Sequence, residues 1–91
     1  MQRRVALVTG ANRGLGLEIA RQLAELGITV IIGSRDHDRG QEAADCLRND
    51  RREVYSRLLD VTRANTIQAA IGYIVDQFGR LDILVNNAGI M

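Results

Sequence analysis

The chain has 91 residues, 46% hydrophobic and 25% charged, with a formal net charge of +1. These values indicate one small folded domain, or a piece of a larger one, and exclude a second domain. The charges are interspersed and the apolar runs are short, so we expect neither a nucleic-acid partner nor a membrane span. With Cys46 as its single cysteine and no signal-peptide pattern, the chain is expected to be reduced and cytoplasmic.

The N-terminal half predicts a strand, a helix and a second strand. The apolar run from Val5 to Val8 is typical of a buried strand. Behind it, the spacing i, i+4, i+8, i+11 predicts a helix with an apolar stripe made of Leu15, Ile19, Leu23 and Leu26. Gly27 is expected to end this helix, and the β-branched run from Val30 to Ile32 predicts the next strand.

The C-terminal half continues the alternation. Asp38 with Gln41 suggests a capping box that opens a helix through Leu47, and a third strand is expected from Val54 to Leu59. Thr62 is expected to cap a third helix, whose apolar face would consist of Ile67, Ile71, Ile74, Val75 and Phe78. Gly79 ends that pattern, and a fourth strand is predicted from Ile83 to Asn86.

The resulting order, βαβαβαβ, is that of a parallel sheet covered by helices on both faces. We therefore predict an α/β fold, a three-layer Rossmann-like doubly wound sheet in the strand order 3-2-1-4. Residues 1–91 would form its first half, without an internal boundary. The fourth strand would lie at an uncovered sheet edge, which predicts self-association of the isolated chain.

The stretch TGANRGLG, residues 9 to 16, joins the first strand to the first helix. In such a loop one glycine permits the tight turn, one lets the backbone approach a phosphate, and one allows close helix packing. Gly10, Gly14 and Gly16 are assigned these roles in that order. The helix N-terminus behind them suits an anion, although glycines alone also serve plain turns. Their spacing, TGxxxGxG, differs from the common GxGxxG fingerprint.

This TGxxxGxG loop, together with Asn86-Asn87-Ala88-Gly89 after the fourth strand, resembles the short-chain dehydrogenase/reductase family. Asp60-Val61 stands where family members carry an Asp after the third strand. The resemblance covers the whole chain but only the first half of such an enzyme, and the opening is similar to that of carbonyl-reductase-like members.

The resemblance implies a nicotinamide dinucleotide cofactor and assigns its contacts. The phosphates and the adenosine ribose would be surrounded by Gly10, Asn12, Arg13, Gly14, Leu15 and Gly16. The adenine would contact Asp60 and Val61. The adenine-ribose side would be lined by Asn86, Ala88 and Gly89. A capped turn is the alternative for the two asparagines, and a helix-proximal cap is the alternative for Asp60.

The end of the second strand predicts which cofactor is preferred. An acidic side chain there accepts from a ribose 2′-OH, whereas an arginine suits a 2′-phosphate. By resemblance, Ser34 occupies the position of the Asp of NAD-preferring members, and Arg35 and Arg13 match the basic residues of NADP-preferring ones. We therefore predict NADP over NAD, with Asp36 one residue away as the complication.

The family's hydride transfer uses a Tyr-x-x-x-Lys pair and a serine, and a tyrosine that ionises near neutral pH needs a cation close by. All twelve basic residues are arginines, so the pair is absent and this chain alone is predicted inactive, without catalytic residues. Tyr55 and Tyr73 are interpreted as structural and Cys46 as a small buried thiol. His37 with Cys46 makes no metal site.

Two functions remain open. The chain is either the cofactor-binding part of an NADP-dependent short-chain oxidoreductase acting on a carbonyl or alcohol, or a stand-alone, non-catalytic dinucleotide-binding or pairing module. A vestigial structural half-sheet is disfavoured because the glycines, both arginines and Asp60 occur together. Coding sequence beyond Met91 that contains Tyr-x-x-x-Lys would decide for the enzyme.

Overall fold

The computed structural model describes residues 3–87. Its strands are β1 (Val5–Thr9), β2 (Thr29–Ser34), β3 (Val54–Leu58) and β4 (Ile83–Val85), and its helices are α1 (Gly14–Glu25), α2 (His37–Leu47) and α3 (Ala64–Phe78). The strands pair in parallel in the order β3-β2-β1-β4. The predicted element order, sheet topology and doubly wound class are thereby confirmed.

The central strands bury both of their faces because successive side chains point to opposite sides. Ala6 and Val8 of β1 pack in one apolar cluster with alanines of α1 and α2. Leu7 of β1 and Ile31 of β2 pack in a second cluster with Ile74 of α3. The sheet is therefore the middle of three layers, with α1 and α2 on one face and α3 on the other.

The buried face of α1 differs from the predicted leucine stripe. The residues that α1 buries are small, namely Gly16, Ala20 and Ala24. Leu15 is 64% exposed and Leu26 is 76% exposed, so the prediction was wrong for both. Small side chains let the helix axis approach the sheet closely, and the larger Ile19 and Leu23 then pack at the flank of the same cluster.

The N-terminal caps of two helices also differ from prediction. Asp36, not Asp38, is the N-cap of α2, and its side chain accepts a hydrogen bond from the Arg39 N–H. Thr62 does not cap α3, which begins one residue later than a Thr62 cap requires, with Arg63 at the N-cap. The hydroxyl of Thr62 donates instead to Asp60.

Two of the side chains expected on the buried face of α3, Ile71 and Val75, are exposed. The side of α3 that reaches β3 carries aromatic contacts, with the Phe78 ring 5.5 Å from that of Tyr55 and 6.1 Å from that of Tyr73. Both tyrosines therefore have the structural positions predicted for them. None of the helices within residues 3–87 has the length and apolar character to cross a membrane.

Cys46 was expected to be a buried thiol, and this expectation was wrong. The side of α2 that faces the sheet consists of Ala43, Ala44 and Leu47. Cys46 comes one residue before Leu47, so the helical rotation turns its side chain away from the sheet, and the thiol is exposed.

Candidate dinucleotide site

An open cavity of about 710 Å³ lies where the carboxyl ends of the parallel strands meet. All four strand ends contribute to its wall, which is lined by Gly10, Asn12, Arg13, Gly14, Arg35, Leu59, Asp60, Val61, Thr62 and Asn87. Seven of the predicted cofactor residues are among these. The fold thus brings together segments that are up to 77 positions apart in the sequence.

The glycine loop presents the N-terminus of α1 to this cavity. Gly14 opens the helix with a φ of 62°, a left-handed conformation that glycine adopts without steric cost. Arg13 occupies the N-cap position but makes no side-chain capping bond, and the first turn of α1 holds no acidic residue. The first amide groups of a helix lack intrahelical acceptors and lie at its positive end, so this wall suits a phosphate.

Gly16 is required by close packing against the loop itself. A Cβ atom at Gly16 would lie 2.6 Å from the Gly10 carbonyl oxygen and 2.6 Å from Asn87 Nδ2. Asn87 Nδ2 in turn donates to the Gly10 carbonyl at 3.1 Å, which ties the end of β4 to the glycine loop. Asn87 was not predicted as a site residue, although its place beside Asn86 in the Asn-Asn motif is a signal that could have found it.

The remaining predicted residues after β4 lie partly outside this wall. Asn86 is not in the cavity lining, and its Oδ1 is 3.1 Å from the Thr9 hydroxyl at the end of β1. This contact holds β1 and β4 together beside the site. Ala88 and Gly89 lie outside the described residues. Leu15 and Gly16 follow the lining residue Gly14 and are not part of the cavity wall.

Asp60, after β3, contributes a carboxylate to the cavity wall. Its Oδ1 accepts hydrogen bonds from the Thr62 backbone N–H at 2.9 Å and from the Thr62 hydroxyl at 2.6 Å. These bonds, aided by the positive charges of Arg35 and Arg63, lower the pKa of Asp60 below its ordinary value. Asp60 therefore carries a negative charge at neutral pH, and it also closes the turn that leads into α3.

The two arginines that were predicted to favour NADP, Arg13 and Arg35, lie at this cavity. Both are exposed and line its wall. Arg13 also borders a second groove of about 330 Å³ between α1 and α2, where Arg39 lies. Sequence reasoning did not single out Arg39, which lies in the first turn of α2.

The two residues flanking Arg35 are turned away from the cavity. Ser34 is only 1% exposed and is not part of the lining. Its hydroxyl donates to the Asp36 carbonyl at 2.8 Å and accepts from the Asp36 N–H at 3.1 Å. The Asp36 carboxylate accepts from the Arg39 backbone N–H and forms an ion pair with the Arg39 guanidinium at 3.6 Å. Of these three residues, Arg35 alone faces the site.

Comparison with known proteins agrees with this architecture. The family model described as short chain dehydrogenase matches residues 4–91. The chain belongs to the short-chain dehydrogenase/reductase family. One relative in that family, (-)-isopiperitenone reductase from Mentha piperita, is 52% identical over 91 residues, which cover 96% of this chain and 29% of the relative.

Two solved structures of short-chain dehydrogenases/reductases superimpose closely. Menthone neomenthol reductase from Mentha piperita has a TM-score of 0.90 and 47% identity, with 99% of this chain and 33% of that one covered. A metagenomic short-chain oxidoreductase in complex with NADP has a TM-score of 0.89 and 36% identity, with 99% and 41% covered. The chain thus spans about a third of the length of these relatives and matches their N-terminal part.

Proposed function

We propose that residues 1–91 form the NADP-binding part of a short-chain dehydrogenase/reductase that transfers hydride between NADP(H) and a carbonyl or alcohol substrate. The observation that carries this proposal is the cavity at the carboxyl ends of all four strands, which joins the uncapped N-terminus of α1 to Arg13 and Arg35. Bound cofactor would donate the hydride as NADPH or accept it as NADP⁺, and this chain would supply binding and orientation.

The residues divide into a phosphate side and an adenine side. The glycine loop with Gly10, Asn12 and Gly14 would hold the pyrophosphate at the helix N-terminus, with Leu15 and Gly16 shaping the first turn behind it. Asp60 and Val61 would contact the adenine from the opposite wall. The segment after β4 would brace the ribose side through Asn86, Asn87, Ala88 and Gly89.

NADP is proposed over NAD because Arg13 and Arg35, which match the basic residues of NADP-preferring family members, both line the cavity. A guanidinium is permanently charged and donates to phosphate oxygens in a fork. The acidic residue that follows Arg35 in the sequence, Asp36, caps α2 and does not line the cavity. The structurally similar metagenomic oxidoreductase, with 36% identity, was solved in complex with NADP.

Calorimetric titration of the 91-residue chain with NADP and, separately, with NAD tests this proposal. We expect tighter binding of NADP. Arg35→Ala should remove most of that preference by weakening NADP binding roughly tenfold to a hundredfold, since a hydrogen bond to a charged group contributes about 1.5–3 kcal/mol. Arg51→Ala, in the exposed turn before β3, is the matched control and should change neither affinity. Equal affinity of the unmodified chain for both cofactors would contradict the assignment.

We infer further that the 91-residue chain binds cofactor without transferring hydride, because it contains no lysine for a Tyr-x-x-x-Lys pair. The expected result is no NADPH oxidation in the presence of a ketone, under conditions where titration shows NADPH bound. Turnover by this chain alone would contradict the inference and place the acid-base group among the residues present here.

A further inference from the structure

We infer that Ser34 is a positioning residue for cofactor selectivity: its buried hydroxyl fixes the turn between β2 and α2 so that Arg35 faces the cavity while the Asp36 carboxylate is kept on α2. This inference rests on the proposed NADP-binding function. It assigns selectivity to the geometry of the turn in addition to the identity of its residues.

The Ser34 hydroxyl bonds both backbone groups of Asp36. It donates to the Asp36 carbonyl at 2.8 Å and accepts from the Asp36 N–H at 3.1 Å, so the two bonds close a small ring around Arg35. The Asp36 carbonyl also accepts from the Gly40 N–H at 3.0 Å in the first turn of α2. The backbone on both sides of Arg35 is therefore held by a side chain that is itself 1% exposed.

The packing of α2 restricts Ser34 further. A Cβ atom at Gly40 would lie 2.8 Å from the Ser34 Cβ and 2.6 Å from the Ser56 hydroxyl oxygen. The helix therefore packs directly on the two serines at Gly40. A small hydroxyl residue is the type that fits this space and also bonds the turn.

The Asp36 carboxylate is engaged by the same turn. It accepts from the Arg39 N–H at 3.1 Å as the N-cap of α2 and lies 3.6 Å from the Arg39 guanidinium. An acidic group at the end of the second strand would otherwise accept from a ribose 2′-OH and favour NAD. With Asp36 held on the helix, Arg35 is the charged side chain of this turn that lines the cavity.

Ser34→Ala in the 91-residue chain tests this inference, with Ser56→Ala as the matched control. Both variants remove a buried hydroxyl beneath Gly40, but the Ser56 hydroxyl has no hydrogen-bond partner within residues 3–87. We expect Ser34→Ala to reduce the ratio of NADP to NAD affinity by roughly tenfold, as loss of an orienting hydrogen bond predicts. Ser56→Ala should leave the ratio unchanged. Equal losses for both cofactors in Ser34→Ala would show a merely structural role and overturn the inference.

Two substitutions at Asp36 test whether its N-cap hydrogen bond helps to hold the turn. Asn is as good an N-cap as Asp, whereas Ala is not. Asp36→Asn should therefore keep the selectivity ratio, and Asp36→Ala should lower it by freeing the turn. A selective loss of NAD affinity in Asp36→Asn would instead mean that the carboxylate contacts the ribose, which would overturn the inference.

A second measurement separates failure of the inference from failure of the proposed function. Hydrogen exchange of the Asp36 amide, followed without cofactor, should become faster in Ser34→Ala and stay unchanged in Ser56→Ala. If the unmodified chain shows no NADP preference, the proposed function fails, whatever the exchange rates are. If it prefers NADP and Ser34→Ala keeps the full ratio, the positioning role alone is refuted.

Discussion

Individual residues of this chain owe their identity to contacts a few ångströms away. Gly16 is fixed by the Gly10 carbonyl oxygen and by Asn87, whereas an added Cβ at Gly72 of α3 would meet nothing within 4 Å. Gly16 and Gly72 are both helical, but the space around them is opposite. One is demanded by packing, and the other only lowers helix propensity.

Alanine substitution at these two glycines should therefore have opposite effects. Gly72→Ala should raise the free energy of unfolding by about 0.5–1 kcal/mol, the usual cost of a glycine within a helix. Gly16→Ala should lower it by about 1–3 kcal/mol, the usual cost of overpacking, because backbone and Asn87 must move. Urea unfolding of the two variants beside the unmodified chain measures both. Changes of the same sign would refute this reading of Gly16.

At the scale of single residues, motif positions could be predicted and side-chain partners could not. The glycine pattern predicted Gly10 and Gly14 as cofactor residues, and the position after the second strand together with the family resemblance predicted Arg35; all three line the cavity. That Cys46 turns outward depends on how α2 rotates over the sheet. The local spacing of apolar residues in the sequence does not specify that rotation.

At the scale of elements, β4 is held to β1 by one acidic side chain as well as by the sheet. The Asp82 carboxylate accepts from the Val5 N–H at 2.8 Å, and the Asp82 N–H donates to the Val5 carbonyl at 2.9 Å. Arg80 bonds the same carboxylate through two guanidinium nitrogens at 2.8 and 2.7 Å. This contact aligns the beginning of the strand whose other end reaches the cofactor cavity.

Asp82→Ala should lower the free energy of unfolding measurably at neutral pH, since the Val5 N–H loses its side-chain acceptor. Asp50→Ala, an exposed carboxylate in the turn before β3, is the control and should change it by less than about 0.5 kcal/mol. Chemical denaturation of both variants provides the comparison. Equal losses in the two would show that the Asp82 contact contributes nothing specific.

The same contact predicts a pH dependence. Hydrogen bonds from Arg80 and from the Val5 N–H hold the pKa of Asp82 below its ordinary value in the folded chain. Its stabilising contribution is therefore complete above the unfolded pKa of about 3.9 and is lost as the pH falls through the lower folded value. The stability difference between the unmodified chain and Asp82→Ala should shrink below about pH 4. A difference that grows on acidification would contradict this.

Elements could be predicted from sequence better than their boundaries. Apolar runs and helical spacing predicted the four strands and three helices found within residues 3–87, because burial of apolar faces decides where elements form. The caps were missed since Asp36 and Asp38 are both acceptable N-caps, and only the turn held by Ser34 selects the first. The face of α1 was missed because close packing favours alanine over leucine.

At the scale of the whole molecule, the two sheet edges differ in protection. Beside β3, the Arg57 guanidinium lies 3.5 Å from the Tyr73 ring centroid, and Arg48 lies over Tyr55, so charged side chains flank this edge. Within residues 3–87, β4 pairs with β1 alone. Leu84 of β4 is 60% exposed. An apolar sheet edge without flanking charged side chains favours pairing with a strand of another chain.

We therefore expect the 91-residue chain to self-associate through β4. Leu84→Glu should shift the sedimentation profile toward monomer, because a carboxylate in a strand-to-strand contact would be desolvated and repelled by its copy. Leu26→Glu, on a leucine at the end of α1 that is even more exposed, should leave the profile unchanged. Monomeric behaviour of the unmodified chain at high concentration would contradict the expectation.

The central claim, that this chain recognises the adenosine half of NADP, is tested most directly by titrating it with adenosine 2′,5′-bisphosphate and with adenosine 5′-monophosphate. The two ligands differ only in the 2′-phosphate that Arg13 and Arg35 are proposed to bind. Tighter binding of the bisphosphate, with the difference reduced by added salt, is the predicted result. Equal affinity for the two ligands, or binding of neither by a folded sample, would contradict the claim.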